Sequence, residues 1–240
     1  ALPSAGAANA NAEIGLYYNL EAQDVANSGW NHTSSTSNIT LSFWFRCSTN
    51  QTFYAYLRTR DGTNYTYPFS FTASGNSAWT KITKTIPGNA NLQIDDNTER
   101  GLSISIIPFY GTDLTNNLSV DQWSAYDTAN RMPDMASTWL TAGASTFDIT
   151  GLQLEVGDTA TSFEHRSFGE ELSRCQRYCQ VYVNPRLRGV LGSGGSSDFN
   201  RMGMTLLNTL RTDPSATWSG TQSVYGGGGT ASITGINSLY

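Results

Sequence analysis

Charge is the scarcest ingredient of this chain. Only 14% of its 240 residues are Asp, Glu, Lys or Arg, against about 25% in an ordinary soluble domain. Lys and Arg number 14 and Asp and Glu 19, for a net charge of −5. The basic footprint of a nucleic-acid binder is therefore missing. Cysteine occurs three times, at Cys47, Cys175 and Cys179. That number is odd and too small for a disulfide framework. Cys175 and Cys179 lie four apart on an expected helix, a spacing whose Cβ directions do not favour a disulfide. We read all three as reduced thiols, which fits assembly in a cytoplasm. With His32 and His165 the only histidines, no metal centre is expected. No apolar run approaches 18 residues, so a membrane-inserted helix is excluded. The opening ALPSAGAANANAEIG has neither the basic nor the apolar region of a signal peptide. It also lacks Met, and the chain stops at Leu239-Tyr240 in mid-pattern; processing, or excerpting from a longer chain, is the expectation. Among catalytic signatures, G-x-S-x-G, H-E-x-x-H, the P-loop and G-x-G-x-x-G in its strand-to-helix context are all missing.

What the chain does have is polar β-forming sequence. Ser (27), Thr (29) and Asn (19) make up nearly a third of it, with 23 Gly besides. Apolar residues at 38% still suffice for a core. This is the balance of an all-β protein with polar loops. Five N-x-S/T sequons, at Asn31, Asn38, Asn50, Asn64 and Asn117, are about what that composition gives by chance.

Along the chain, residues 1–15 read as a flexible or partner-bound lead-in, and 16–27 as a short strand or helical turn. Strands are expected at 39–47, apolar on both faces as in a sandwich centre, and at 53–59. Asp61-Gly62 then signals a hairpin. The strand at 65–73 alternates, with Tyr65, Tyr67, Phe69 and Phe71 on one face and Pro68 marking an edge or bulge. Further strands fall at 79–86, 101–109 and 147–156, and a long insert covers 110–145. Ser167 and Glu170 form a capping box ahead of a helix expected over 168–178, with Glu170 and Arg174 as an i,i+4 pair. Segments 178–183, 188–191, 201–211, 215–219 and 231–236 read as strands of a smaller β unit, with a glycine loop at 226–229. The organisation expected is a lead-in at 1–15, a β-sandwich of jelly-roll type at 16–160, a helical linker at 161–179 and a small β domain at 180–240.

The motifs LSFWFR at 41–46, WTKITKTIPG at 79–88 and FDITGLQLEVG at 147–157 resemble, in this order, a jelly-roll module of bacteriophage virion proteins. The continuation ATSFEHRSFGEELSRCQRY at 160–178 is similar to that family's long and specific exit motif, and 204–219 to the strand after it. The likeness covers roughly 17–220 and departs from the pattern at Ser162, where the family has Pro, and at Cys179, where it has Tyr. It implies a tail fibre or similar appendage, above all of phages infecting cyanobacteria and other aquatic hosts. Self-association, commonly as a homotrimer, and contact with other virion proteins and with host-surface glycan are implied with it. The protein would then be assembled in the host cytoplasm and located in the virion. The family motif carries no catalytic residue, so no enzyme is expected.

Candidate residues follow. Aromatic rings stack on sugar faces, so Tyr54 and Tyr56, beside Tyr65 and Tyr67, would make a sugar platform with Arg58 and Arg60 at its rim, provided the ladders share a water-facing side. The other reading makes one ladder core. Trp123, Tyr126 and Trp139 lie in the long insert, where binding residues concentrate, or else pack that loop onto a sheet. Neighbours in an extended segment point to opposite faces, so Glu164, His165 and Arg166 cannot converge on one atom. With Phe163, Phe168, Leu172, Arg177 and Tyr178 they are read as linker and assembly residues. No cofactor is expected. Calcium is a minor option at Asp95-Asp96, which otherwise form a turn. Two alternatives to the appendage remain: a carbohydrate-binding module of a longer hydrolase, and a ligand-free capsid decoration or adaptor protein.

Overall fold

The computed structural model describes residues 2, 4–181, 188–190, 201–203, 206–212, 222–226 and 229–233. The chain divides into two compact units, Ala1–Glu164 and His165–Tyr240.

The first unit is built from two antiparallel sheets. Its strands are β1 (Glu13–Glu21), β2 (Asn38–Cys47), β3 (Asn50–Thr59), β4 (Tyr65–Ser74), β5 (Thr80–Pro87), β6 (Arg100–Tyr110), β7 (Ser124–Ala125) and β8 (Phe147–Val156). One sheet has the order β1-β6-β3-β4-β7 and the other β5-β2-β8. Alternation decides which side chains face inward. On β2, Ile39, Leu41, Phe43, Phe45 and Cys47 are buried, and they share one core with Phe53, Ala55 and Leu57 of β3 and Tyr67, Phe69 and Phe71 of β4. The opposite face of β2 carries Thr40, Ser42, Trp44 and Arg46, with Trp44 exposed. This strand is therefore one-sided, not apolar on both faces. Phe45 anchors the core, with ring centroids 5.6 Å from Phe53, 5.1 Å from Phe71 and 4.8 Å from Phe147. Such pairs add about 0.5–1.5 kcal/mol each beyond area burial.

Pro68 sits where β4 has already lost its short neighbour β7, which pairs only with Tyr65 and Thr66. A residue without an N–H costs little there, and its carbonyl accepts from Asp121 N at 2.7 Å. Residues 60–64 turn β3 into β4, with Gly62 at φ +54°. Gly151, at φ +60°, is an extra residue in β8, since Ser42 pairs with Gln153 but Trp44 with Thr150. This is the bulge geometry that favours glycine.

The lead-in, expected to be flexible or partner-bound, is corrected, and the insert follows the packed one of its two readings. Residues 4–12 are tied to the insert: Gly6 N donates to Leu140 O, Gly111 N to Ala12 O and Asp113 N to Ala10 O. Backbone hydrogen bonding, for which the sequence has no side-chain signature, holds this Ala/Asn-rich stretch in place. It then runs into β1 and a short helix α1 (Ala22–Ala26). The insert 110–145 wraps the unit and does not project from it. Its helix α2 (Thr138–Thr141) drives Trp139 and Leu140 into the main core. Met132 packs with Tyr56, Ile107 and Tyr110 in a second cluster that Leu114 and Met135 border.

In the second unit, α3 spans Phe168–Gln176, and Ser167 Oγ accepts from Glu170 N at 3.3 Å as its cap. Glu170 and Arg174 pair at 3.5 Å. Two antiparallel hairpin pairs follow, β9 (Arg188–Val190) with β10 (Arg201–Gly203) and β11 (Gln222–Gly226) with β12 (Gly229–Ile233). Of the strand expected over 201–211, Arg201–Gly203 form β10, and 204–205 lie outside the described residues. At 206–212 the chain bends, with Gln180 Nε2 donating to Asn208 O and Leu207 N to Gln180 Oε1. Side-chain amides take the backbone groups that a sheet would have used. The segment 215–219 lies outside the described residues.

Candidate functional site

The two tyrosine ladders lie on opposite faces of one sheet. Tyr56 pairs with Pro68 and Tyr54 with Ser70, which sets them out of phase with Tyr67 and Phe69. Tyr67 belongs to the core and Tyr65 packs against it. Burial pushes the Tyr67 hydroxyl up to about 12. The common platform is thus corrected: Tyr54 and Tyr56 have the outer face to themselves. Even there Tyr56 is only 3% exposed, beneath Tyr110 and Met132 of the wrapping insert. Its hydroxyl lies 3.4 Å from that of Tyr110. Trp139 is likewise corrected, because it is 4% exposed and its Nε1 donates to Thr146 O at 3.1 Å. Trp123 is half-buried, edge-on to Tyr67, and its Nε1 donates to Pro87 O at 2.7 Å. Both tryptophans fasten the insert, which is why it carries them.

What remains of the candidate set converges at one end of the outer face. Arg58 leaves β3 two residues beyond Tyr56, and its guanidinium lies 3.4 Å over the ring of Tyr126. Asn64 accepts from Arg58 Nη2 at 2.7 Å and donates to Thr59 O at 3.0 Å when its amide is set to satisfy both. The side chain is thus fixed by a ring and an amide. Beside it opens a depression of about 430 Å³, within the usual range of about 300–1,000 Å³ for small-ligand sites. Arg58, Arg60 and Arg100 contribute three guanidiniums to its lining; the acids there are Asp61, Asp95 and Glu99. Asp61 is buried and accepts from Asp95 N at 3.0 Å, while Asp95 and Glu99 are exposed. Burial lowers the pKa of Arg60, and the nearby charges of Arg58 and Arg100 lower it further.

Asp95-Asp96 serve the turn. Asp96 Oδ1 accepts from Asn27 Nδ2 at 2.9 Å, and among the described residues no group of three His, Cys, Asp or Glu is placed to hold a metal. Sequence reasoning missed Arg100 and Asn97, which stand about forty residues from Arg58. Only the antiparallel pairing of β3 with β6, which sets Arg58 opposite Ser103, brings them together.

The linker residues form a separate feature. Segment 159–164 is sewn along the three-stranded sheet. Gln153 Oε1 accepts from Glu164 N at 2.8 Å, its Nε2 donates to Thr161 Oγ1 at 3.2 Å, and Lys81 Nζ donates to Thr161 O at 3.2 Å. Thr161 Oγ1 also donates to Glu155. Phe163 lies by Gly151, which Trp44 flanks as well. Beyond it, Arg166 pairs with Glu171 at 3.7 Å, Phe168 and Leu172 are exposed, and Tyr178 N donates to Cys175 O. Arg177 accepts through its carbonyl from Arg211 N at 3.0 Å. Thus Glu164 uses its backbone N–H on the sheet, whereas Arg166 pairs its charge with the helix. His165 lies between them.

No protein-family model, curated protein or solved structure matches the chain.

Proposed function

We propose that this protein is a structural and adhesive component of a bacteriophage appendage, a tail fibre or its equivalent, that touches host-surface carbohydrate without cleaving it. The observation that carries the adhesive part is the open polar depression beside the Arg58–Tyr126 stack. A fixed guanidinium, flanking amides and carboxylates, and an adjacent ring are what hydroxyl-rich ligands need for orientation and contact. The virion part rests on the motif resemblance. The chain crosses between its sheets on passing from β2 to β3, from β4 to β5 and from β5 to β6; this back-and-forth course supports a jelly-roll reading of the two sheets. The exit segment, sewn to one sheet before a helix with exposed Phe168 and Leu172, fits a device that joins this module to copies of itself, as a homotrimer, and to other virion proteins.

Two measurements test the reading. Purified protein on an array of host-derived polysaccharides should give discrete signals, with no new reducing ends released. Labelling of this chain on intact particles should place it on an appendage. Silence across the array would leave only an assembly or adaptor role. Release of reducing ends would point to a hydrolase.

A further inference from the structure

We infer that the depression at the β3–β4 turn is an anion-selective saccharide site, in which Arg58, Arg60 and Arg100 hold a carboxylate or sulfate substituent of an acidic sugar. The inference rests on the carbohydrate reading above and narrows it to a chemical class.

Three observations carry it. First, the guanidiniums are concentrated against the grain of the molecule. The chain is acidic, with 14 basic residues against 19 acidic ones, yet three arginines line one depression. Second, they are not held in close ion pairs. Among the described residues, ion pairs of arginine include those of Arg46 with Asp148, Arg131 with Glu13, Arg166 with Glu171 and Arg174 with Glu170. None involves Arg58, Arg60 or Arg100, although Asp61, Asp95 and Glu99 share the same lining. Beyond the effect of burial, the charges of Arg58 and Arg100 act against that of Arg60, and the charge of Arg100 acts against that of Arg58, so a bound anion relieves repulsion already present. Third, Arg58 is prepared for such a partner. Its plane is stacked on Tyr126 and one nitrogen is held by Asn64. Little side-chain freedom is then lost on binding, which is where arginine has the advantage over lysine.

The carboxylates give the site its sugar character. A bare anion has no use for Asp95 and Glu99, whereas the hydroxyls of a sugar ring donate to them. The ligand that satisfies both sets of groups carries an anionic substituent and free hydroxyls on one ring. Uronate and sulfated sugars share that chemistry.

Binding of three probes of equal length to the full chain tests this: oligogalacturonate, a sulfated oligogalactan and a neutral oligogalactan. At least one acidic probe should bind about tenfold or more tightly than the neutral one, and the better acidic arm identifies the anion. The double variant Arg60→Gln, Arg100→Gln should lose about tenfold or more of that affinity at an unchanged melting temperature. Arg46→Gln, on the other sheet, should bind as the parent does. Equal affinity for acidic and neutral probes overturns the inference and leaves the carbohydrate reading standing. Acidic binding that survives the double variant also overturns it. Should neither acidic probe bind, the inference falls, and the array of host polysaccharides decides the carbohydrate reading independently.

Discussion

Glu13 gathers three side chains of the outer face. Its Oε1 accepts from Tyr17 at 2.7 Å, from Tyr110 at 3.3 Å and from Arg131 Nη1 at 3.2 Å. Burial alone would raise this carboxyl, but the Tyr17 hydrogen bond, the Arg131 charge and the Tyr110 hydrogen bond outweigh it and hold the group below its ordinary value of 4.5. A folded pKa below the unfolded one means that the contribution is fully present above about pH 4.5 and drains away as pH falls through the folded value. Melting curves of the parent and Glu13→Gln should therefore differ at about pH 6 and converge as the pH falls through the lowered folded value; a gap independent of pH would show that charge is not involved. Tyr56 permits a second test at this scale. Removal of a large, fully packed ring should cost about 3–5 kcal/mol, whereas Tyr54→Ala, at a half-buried neighbour, should cost about 1 kcal/mol or less. Urea unfolding of the two variants checks this. Glycan binding lost in Tyr56→Ala together with the fold would confirm that its role is packing. Period-2 alternation revealed that Tyr54 and Tyr56 share a face, but not that residues 110–135 fold back over it. That covering depends on Leu114, Met132 and Met135 finding the sheet, and contacts at such separations leave no local pattern.

At the scale of elements, the strands were legible because apolar side chains alternate along them with a period of two, even in β6, which is buried on both faces. The strand expected at 147–156 is β8, and that at 101–109 lies within β6. The helix start was legible because Ser167 and Glu170 carry a chemical signature of capping. Bulges and tied-down coil were not, since both are made by backbone groups that every residue possesses. Gly151 illustrates the point. Its positive φ is required by the register of β8 on β2, and a Cβ there would lie 3.3 Å from Trp44 Cδ1 and 3.7 Å from Phe163 Cδ2. Gly151→Val combines a left-handed backbone with a branched side chain and should destabilise the first unit by about 1–3 kcal/mol. Chemical denaturation measures the loss. Because Phe163 lies alongside, the variant should also raise proteolytic cleavage within 159–164. Intact resistance of that segment would show that Gln153, Lys81 and Glu155 suffice to hold it.

For the whole molecule, the division at Glu164 separates a unit with its own closed core from one whose described side chains carry little burial. Every buried hydrophobic residue of the core clusters falls at or before Leu140. The fragment 1–164 should therefore unfold in one cooperative step, at the midpoint of the main transition of the full chain. Binding of a hydrophobic dye to the fragment under native conditions would show that its core needs the rest. The second unit leads to a different expectation. Phe168 is 82% exposed and Leu172 42% exposed, four residues apart and so on one side of α3. A fold stabilised by these side chains within the chain would bury them, and it does not. If they act through self-association, as the appendage reading proposes, Leu172→Asp should leave the melting of the full chain unchanged at low concentration. It should shift sedimentation at high concentration from oligomer to monomer, because a carboxylate buried between copies without a partner is strongly unfavourable. An unchanged sedimentation profile would remove α3 from the assembly surface, while the sewn exit at Gln153 would stand as a purely intramolecular joint.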